Sequence, residues 1–155
     1  MKGQRGKKAK YVKYAEKGLV KDGVWKNILQ SYPSALIKTI RQRLITEIPN
    51  LNEKFNTKSR YFGYYTKNNE DRLYIYVQRK KLVVDLCIQA DLKDALIAQG
   101  FQVRPRDNFQ AKHGWLTGWE VPQTTLNIKP VMKWLCKAFE QKYKLHKDVT
   151  TAAGQ

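Results

Sequence analysis

The apolar residues near the start of the chain recur at helical spacing. Between residues 36 and 48 they follow one another at steps of one, three and four, which predicts an amphipathic helix. Ser34 stands at the N-cap position of that helix, and Pro49 ends it. A shorter helical pattern covers residues 24–29. Four polar residues lie off the apolar stripe, and we expect them to face water: Lys38, Arg41, Gln42 and Arg43.

In the middle of the chain, apolar and polar residues alternate with a period of two. This pattern predicts three antiparallel strands at residues 60–66, 72–78 and 82–88. The segment before them, residues 50–59, is polar, and we expect it to form a loop. One face of the three strands is apolar and is expected to pack on the core. The opposite face, which we expect to be open to solvent, carries Tyr74, Tyr76, Asp85 and their neighbours.

The last third of the chain begins with a helical pattern, which two strands and a closing helix follow. Asp91 and Gly100 are placed to cap the two ends of a helix at residues 92–99. The remaining elements are two strands and a closing helix, at residues 101–104, 115–121 and 130–143. The order α-α-β-β-β-α-β-β-α predicts an α+β fold, with a five-stranded, mainly antiparallel sheet and helices on one face.

Composition divides the chain into an arm, a domain and a tail. Residues 1–14 carry six positive charges, no negative charge and two glycines, which is typical of a disordered basic arm. We assign residues 15–146 to a single α+β domain and residues 147–155 to a frayed tail.

The net charge indicates the class of partner. Thirty Lys and Arg against thirteen Asp and Glu leave +17 on 155 residues. A domain this basic usually binds a polyanion, most often a nucleic acid. The sequence contains no apolar stretch of membrane-spanning length and no signal-peptide pattern, so we expect a cytoplasmic protein without a membrane partner.

The residues that catalysis needs are sparse. His113 and His146 are the two histidines and Cys87 and Cys136 the two cysteines, and their spacing fits neither a zinc site nor a nucleophilic triad. No glycine-rich phosphate loop is present. We therefore expect no metal, no cofactor and no enzymatic activity. A divalent-metal nuclease stays open as an alternative, with Asp85 as one carboxylate.

Basic turns beside tyrosines favour nucleic-acid binding. Residues 79–81 form the tip of a two-stranded ribbon, the first wing, and residues 104–112 form a second basic loop, the second wing. Tyrosines beside them, including Tyr61 and Tyr64, are candidates to stack on bases. The candidate contacts, with DNA favoured over RNA, are Lys7, Lys8, Lys10, Lys13, Tyr74, Tyr76, Arg79, Lys80, Lys81, Arg104, Arg106 and Lys112.

Three blocks of sequence carry a resemblance to a known type of domain: RLYIYVQRKKLVVDLCI, KHGWLTGWEVP and VMKWLCKAFE. They resemble an uncharacterised C-terminal accessory domain of bacterial endonuclease-like and restriction-associated proteins. The order of strands and loops is also similar to the double-wing DNA-binding domain of phage MotA. The resemblance implies a double-wing-like, non-catalytic accessory module in DNA processing or defence, and it assigns no catalytic residue.

Two further interpretations of the same residues stay open. A protein–protein adaptor would use an aromatic patch that includes Trp115 and Trp119 against an acidic or nuclease partner. A ribonucleoprotein subunit would thread its basic arm into structured RNA. The nucleic-acid hypothesis depends on one expectation, that folding gathers the surplus cations on a shared side of the sheet.

Overall fold

The computed structural model describes residues 18–29, 34–66, 71–88, 92–104 and 115–140. The helices in these ranges are α1 (Asp22–Leu29), α2 (Ala35–Glu47), α3 (Lys93–Ala98) and α4 (Lys129–Glu140). The strands are β1 (Asn52–Asn56), β2 (Tyr61–Tyr65), β3 (Asp71–Val77), β4 (Lys81–Ile88), β5 (Gln102–Arg104) and β6 (Trp115–Pro122). The predicted arm and tail, the cap at Asp91 and the predicted contacts Lys7, Lys8, Lys10, Lys13, Arg106 and Lys112 lie outside the described residues.

The strands form one antiparallel sheet in the order β1-β2-β3-β4-β6-β5. The α+β class is confirmed, but the prediction of five strands is wrong, because β1 lies inside the predicted loop at residues 50–59. Its sequence, NEKFN, has a single apolar residue, so it carries no alternating apolar pattern. Its polar side chains Asn52, Glu53 and Asn56 are nevertheless buried, which only the surrounding tertiary structure reveals.

The helices pack on one face of the sheet, as predicted. Ile37, Ile40 and Leu44 of α2 are fully buried in the same core as Phe62 and Ile75 of the sheet. Together with similar contacts from α1, α3 and α4, they make one continuous apolar core. The predicted period-two alternation therefore assigns the core face of the sheet correctly.

Predicted ends of two helices are confirmed. The Ser34 hydroxyl accepts a hydrogen bond from the backbone N–H of Ile37 at 3.0 Å, which is N-cap geometry. Helix α2 ends at Glu47, just before Pro49. Gly100 follows α3 with φ of +91°, a left-handed conformation that glycine adopts without steric cost.

Arg41 is buried, and the prediction that it faces water is wrong. Its side chain lies under α1, where it donates a hydrogen bond to the carbonyl oxygen of Val20 at 2.8 Å. Its guanidinium also stacks over the rings of Trp25 and Phe62, at 4.6 and 4.8 Å from the centroids. Sequence spacing missed this because a buried carboxylate, Glu53 of β1, supplies a partner that makes burial of the charge tolerable.

Candidate nucleic-acid interface

Two basic turns leave the sheet at the same end. Residues 57–60 connect β1 to β2, and residues 78–80 connect β3 to β4. Since these four strands are consecutive antiparallel neighbours, the two turns lie side by side. Each turn presents two exposed cations, and we call the four together the turn cluster: Lys58, Arg60, Arg79 and Lys80.

The first of these turns is held by local hydrogen bonds. The Asn56 side-chain oxygen accepts from the backbone N–H groups of Lys58 and Ser59, at 3.0 and 2.8 Å. The Arg60 backbone, at φ of +58°, donates to the Asn56 carbonyl at 2.8 Å. The Arg60 carbonyl then accepts from Val77 N–H at 3.1 Å, which connects this turn directly to the strand that leads into the second.

The second turn is held from the side by Gln123. Its backbone N–H donates to the carbonyl of Lys80, and its side-chain amide donates to the carbonyl of Gln78, both at 2.9 Å. The Ser34 hydroxyl donates to the Gln123 side-chain oxygen at 2.6 Å. The turn is therefore connected to the N-terminus of α2, and its backbone is preorganised before any ligand binds.

Helices α2 and α4 both begin at the end of the sheet that carries the turn cluster. The hydrogen bond between Ser34 and Gln123 places the start of α2 there. Helix α4 starts soon after β6 ends, and it finishes at the opposite end, where Arg72 of β3 donates to the Ala138 carbonyl at 3.1 Å. Neither helix has an acidic residue in its first turn. The positive dipole end of α2, which Ser34 and Gln123 connect to the second turn, thus adds to the potential of the turn cluster.

Lys81, a predicted contact, lies beside the cluster but is paired. Its Nζ is 2.8 Å from Oε2 of Glu120, and Nε of Arg104 lies 3.9 Å from the same oxygen. The three side chains are partly exposed on the face of the sheet away from the helices. Lys81 and Arg104 therefore share one carboxylate, which compensates part of their charge.

The described residues of the two predicted wings lie close together. Lys81 of the first wing and Arg104 of the second both approach Oε2 of Glu120, at 2.8 and 3.9 Å. The rest of the second wing, residues 105–112, lies outside the described residues. The expectation that the surplus cations share one side of the sheet therefore stays a prediction.

The tyrosines do not form an open stacking platform. Tyr61 and Tyr64, which were candidates to stack on bases, are buried, and Tyr74 and Tyr76 are half-buried. The ring of Tyr61 packs against Tyr76 and Tyr74 at centroid distances of 4.8 and 5.3 Å. Asp85 on the same face is fully buried. The prediction of a solvent-open face is therefore wrong for much of this surface, since its aromatic rings already pack against one another.

The fold also buries part of the aromatic patch that an adaptor would use. Trp119 is fully buried, and its ring stacks on Phe101 at a centroid distance of 4.7 Å. It belongs to the core that the helices cover, because its position on β6 faces α4. A surface that depends on Trp119 is therefore not available to a partner.

A groove between α2 and α4 encloses about 370 Å³ and is lined by both charge signs, including Arg43, Glu47 and Lys133. Cys136 lies in this groove with its Sγ 3.6 Å from Oε1 of Glu47. Burial, together with the negative charge of Glu47, raises the pKa of the Cys136 thiol to about 11. The thiol is therefore protonated at neutral pH, and it is a weak nucleophile and metal ligand.

The described ranges hold no group of three or more His, Cys, Asp or Glu side chains arranged to bind a metal ion. None of the helices in those ranges is long and apolar enough to cross a membrane. Comparison with protein-family models, with curated proteins and with solved structures yields no match.

Sequence reasoning identified half of the turn cluster. Arg79 and Lys80 were found as a basic turn between two strands, and the structure leaves both exposed. Lys58 and Arg60 were missed, because Lys58 fell in the predicted loop at residues 50–59 and Arg60 was placed at the start of the predicted strand at residues 60–66. The signal that marks them is the run TKSR directly before a strand. Once β1 is recognised, that run becomes a second hairpin turn.

Proposed function

We propose that this protein is a non-enzymatic DNA-binding module that contacts the phosphate backbone, with the turn cluster as its principal contact surface. The observation that carries the proposal is the arrival of four exposed cations, from two neighbouring turns, at one end of the sheet. Nucleic acid is the common cellular ligand that offers a row of negative charges to such a surface.

Three of the four charges of the cluster are available to a ligand. Lys58, Arg79 and Lys80 form no ion pair within the described part of the chain. Their backbones are held by the hydrogen bonds of Asn56 and Gln123. Binding a phosphate therefore breaks no existing ion pair, and little backbone freedom is lost on binding.

Other features support a backbone-binding role over base recognition. The half-buried Tyr74 and Tyr76 each pack against the buried ring of Tyr61, so stacking on splayed bases is not the main source of affinity. Contacts to phosphate carry no sequence information by themselves, and binding is therefore expected not to depend on contacts to individual bases. The predicted basic arm adds further phosphate contacts. This role agrees with the accessory module in DNA processing or defence that the sequence resemblance implies.

The proposal is tested by fluorescence anisotropy with a labelled duplex over a series of salt concentrations. The logarithm of the association constant should fall linearly with the logarithm of salt, with a slope of about −0.9 for each phosphate neutralised. The double variant Arg79→Ala/Lys80→Ala should bind every duplex more weakly, with a slope shallower by about one for each lost contact.

A matched control removes two exposed lysines outside the turn cluster, in the variant Lys21→Ala/Lys133→Ala. It loses the same net charge, so it reports the effect of overall charge alone, and we expect a smaller loss of affinity than for the turn variant. A flat salt titration, or an equal loss for the two variants, would contradict the assignment of the turn cluster as the contact surface.

A further inference from the structure

We propose that the two turns of the cluster straddle the minor groove of B-form DNA, with each turn contacting the phosphates of a different strand. This inference rests on the proposed function and adds to it the form of nucleic acid and the groove that is bound. The geometry that carries it is the spacing of the two turns, which the sheet determines.

The spacing follows from the order of the strands. The first turn lies between β1 and β2, and the second lies between β3 and β4. Their centres are therefore two strand spacings apart, which is about 10 Å. The hydrogen bond from Val77 N–H to the Arg60 carbonyl, at 3.1 Å, connects the two turns and keeps this spacing from varying freely.

Two turns can contact the phosphates on both sides of a groove most directly when they are farther apart than the groove is wide. The minor groove of B-form DNA is roughly 6 Å wide and the major groove is roughly 12 Å wide. A spacing of about 10 Å exceeds the first width and falls short of the second. The spacing of the turns therefore fits the minor groove better than the major groove, which the side chains could reach only by splaying outward.

The side chains of the two turns are better suited to contacting phosphates at the rims of a groove than to contacting bases at its floor. Each turn offers two cations that are exposed, Lys58 with Arg60 and Arg79 with Lys80, and neither turn carries an apolar wedge to insert between base pairs. The minor groove of A-form RNA is wide and shallow, so it fits the spacing of the turns less well than the minor groove of B-form DNA does. Narrow A·T-rich minor grooves, with their stronger negative potential, should bind best.

The decisive experiment is competition on an A·T-rich duplex, followed by fluorescence anisotropy of the full chain. Netropsin occupies the minor groove, and methyl green, also cationic, occupies the major groove. We expect saturating netropsin to weaken binding by about tenfold or more, as several lost phosphate contacts require, while methyl green leaves the affinity unchanged. Binding that netropsin does not weaken, or that methyl green weakens as much, would overturn the minor-groove placement.

Hydroxyl-radical footprinting on a duplex with a single A·T tract tests the groove. The native protein should protect both strands with the 3′ offset of minor-groove contact, and Lys58→Glu/Arg60→Glu and Arg79→Glu/Lys80→Glu should each weaken that protection. A 5′ offset would refute the model, as would tighter binding to duplex RNA. Absence of binding to every nucleic acid would instead refute the proposed function, so the two failures are distinguishable.

Discussion

Arg41 and Glu53 form a buried ion pair in which both carboxylate oxygens are engaged. Nε of Arg41 lies 2.8 Å from Oε2 of Glu53, and Nη2 lies 2.6 Å from Oε1. The Tyr64 hydroxyl donates to Oε2 at 2.6 Å, and the Val20 N–H donates to Oε1 at 2.8 Å. One carboxylate on an edge strand therefore joins α2, β2 and the segment before α1, with its charge compensated and its oxygens satisfied.

Replacing Arg41 by Met should strongly destabilise the fold. The variant leaves the carboxylate of Glu53, which is fully buried, without its cation, and loss of one partner of such a pair costs about 3–5 kcal/mol. Urea unfolding followed by circular dichroism measures the effect. The double variant Arg41→Met/Glu53→Gln should recover part of the loss, because it removes the isolated charge. A loss below about 1 kcal/mol for Arg41→Met would show that the pair contributes little.

Replacing Tyr64 by Phe should cost about 1.5–3 kcal/mol, the range for a hydrogen bond to a charged group. Burial, and next the charge of Glu53, raise the pKa of the Tyr64 hydroxyl well above its usual value of 10.0. Above that usual value the unfolded chain loses this proton and the folded protein keeps it, so rising pH favours unfolding. The difference in unfolding free energy between wild type and variant should therefore shrink as the pH rises above 10. A difference that grows would contradict the assignment.

Glu47 should control the reactivity of Cys136. Because burial and the charge of Glu47 raise the pKa of this thiol to about 11, alkylation by iodoacetamide at pH 8 should be slow. The variant Glu47→Gln should lower that pKa and speed the reaction, as measured by peptide mass spectrometry. Glu140→Gln is the matched control, since Glu140 makes a smaller contribution. An equal rate for both variants would be inconsistent with direct control by Glu47.

The raised pKa of Cys136 also has a consequence for stability. Between about pH 9 and pH 11 the unfolded thiol ionises while the folded thiol keeps its proton, so the free energy of unfolding should fall over this range. The variant Cys136→Ala should show a smaller fall, as measured by urea unfolding at several pH values. A steeper fall in the variant would reverse the expected sign.

Gln123 should affect DNA affinity without changing its salt dependence. The variant Gln123→Ala removes the side-chain hydrogen bonds to Gln78 and Ser34, each worth about 0.5–1.5 kcal/mol, but it leaves every cation in place. We expect weaker binding with an unchanged slope against salt, because the turn loses preorganisation and no phosphate contact is deleted. Gln102→Ala, at an exposed glutamine on β5, is the control. A changed slope would mean that phosphate contacts were lost as well.

Plasmid DNA incubated with the protein and Mg²⁺ or Mn²⁺ should stay intact. Asp85 is fully buried, and the nearby Glu120 on the adjacent strand is paired with Lys81 and Arg104. This arrangement does not present several carboxylates to a metal ion, which hydrolysis of a phosphodiester by metal ions requires. Agarose-gel electrophoresis measures the result. Cleavage that the variant Asp85→Ala abolishes would identify a nuclease instead.

Features encoded by short-range spacing were predictable. The apolar stripe of α2, its cap at Ser34 and the glycine after α3 all follow from contacts within a few residues along the chain. Strand β1 was not predictable in this way, because its polar residues are stabilised by partners from α2 and β2. The burial of Arg41 escaped prediction for the same reason, since its partner Glu53 lies on a different element.

The sequence by itself determined the α+β class, most of the strands with their inward faces, and the large positive charge. Only the tertiary structure decided where that charge is concentrated. The order of the strands brings Lys58 and Arg60 beside Arg79 and Lys80, and the pairing of β4 and β5 with β6 brings Lys81 and Arg104 to one carboxylate, that of Glu120. Local periodicity reports which face of an element is buried, whereas strand order depends on pairing between distant segments and on their shared core.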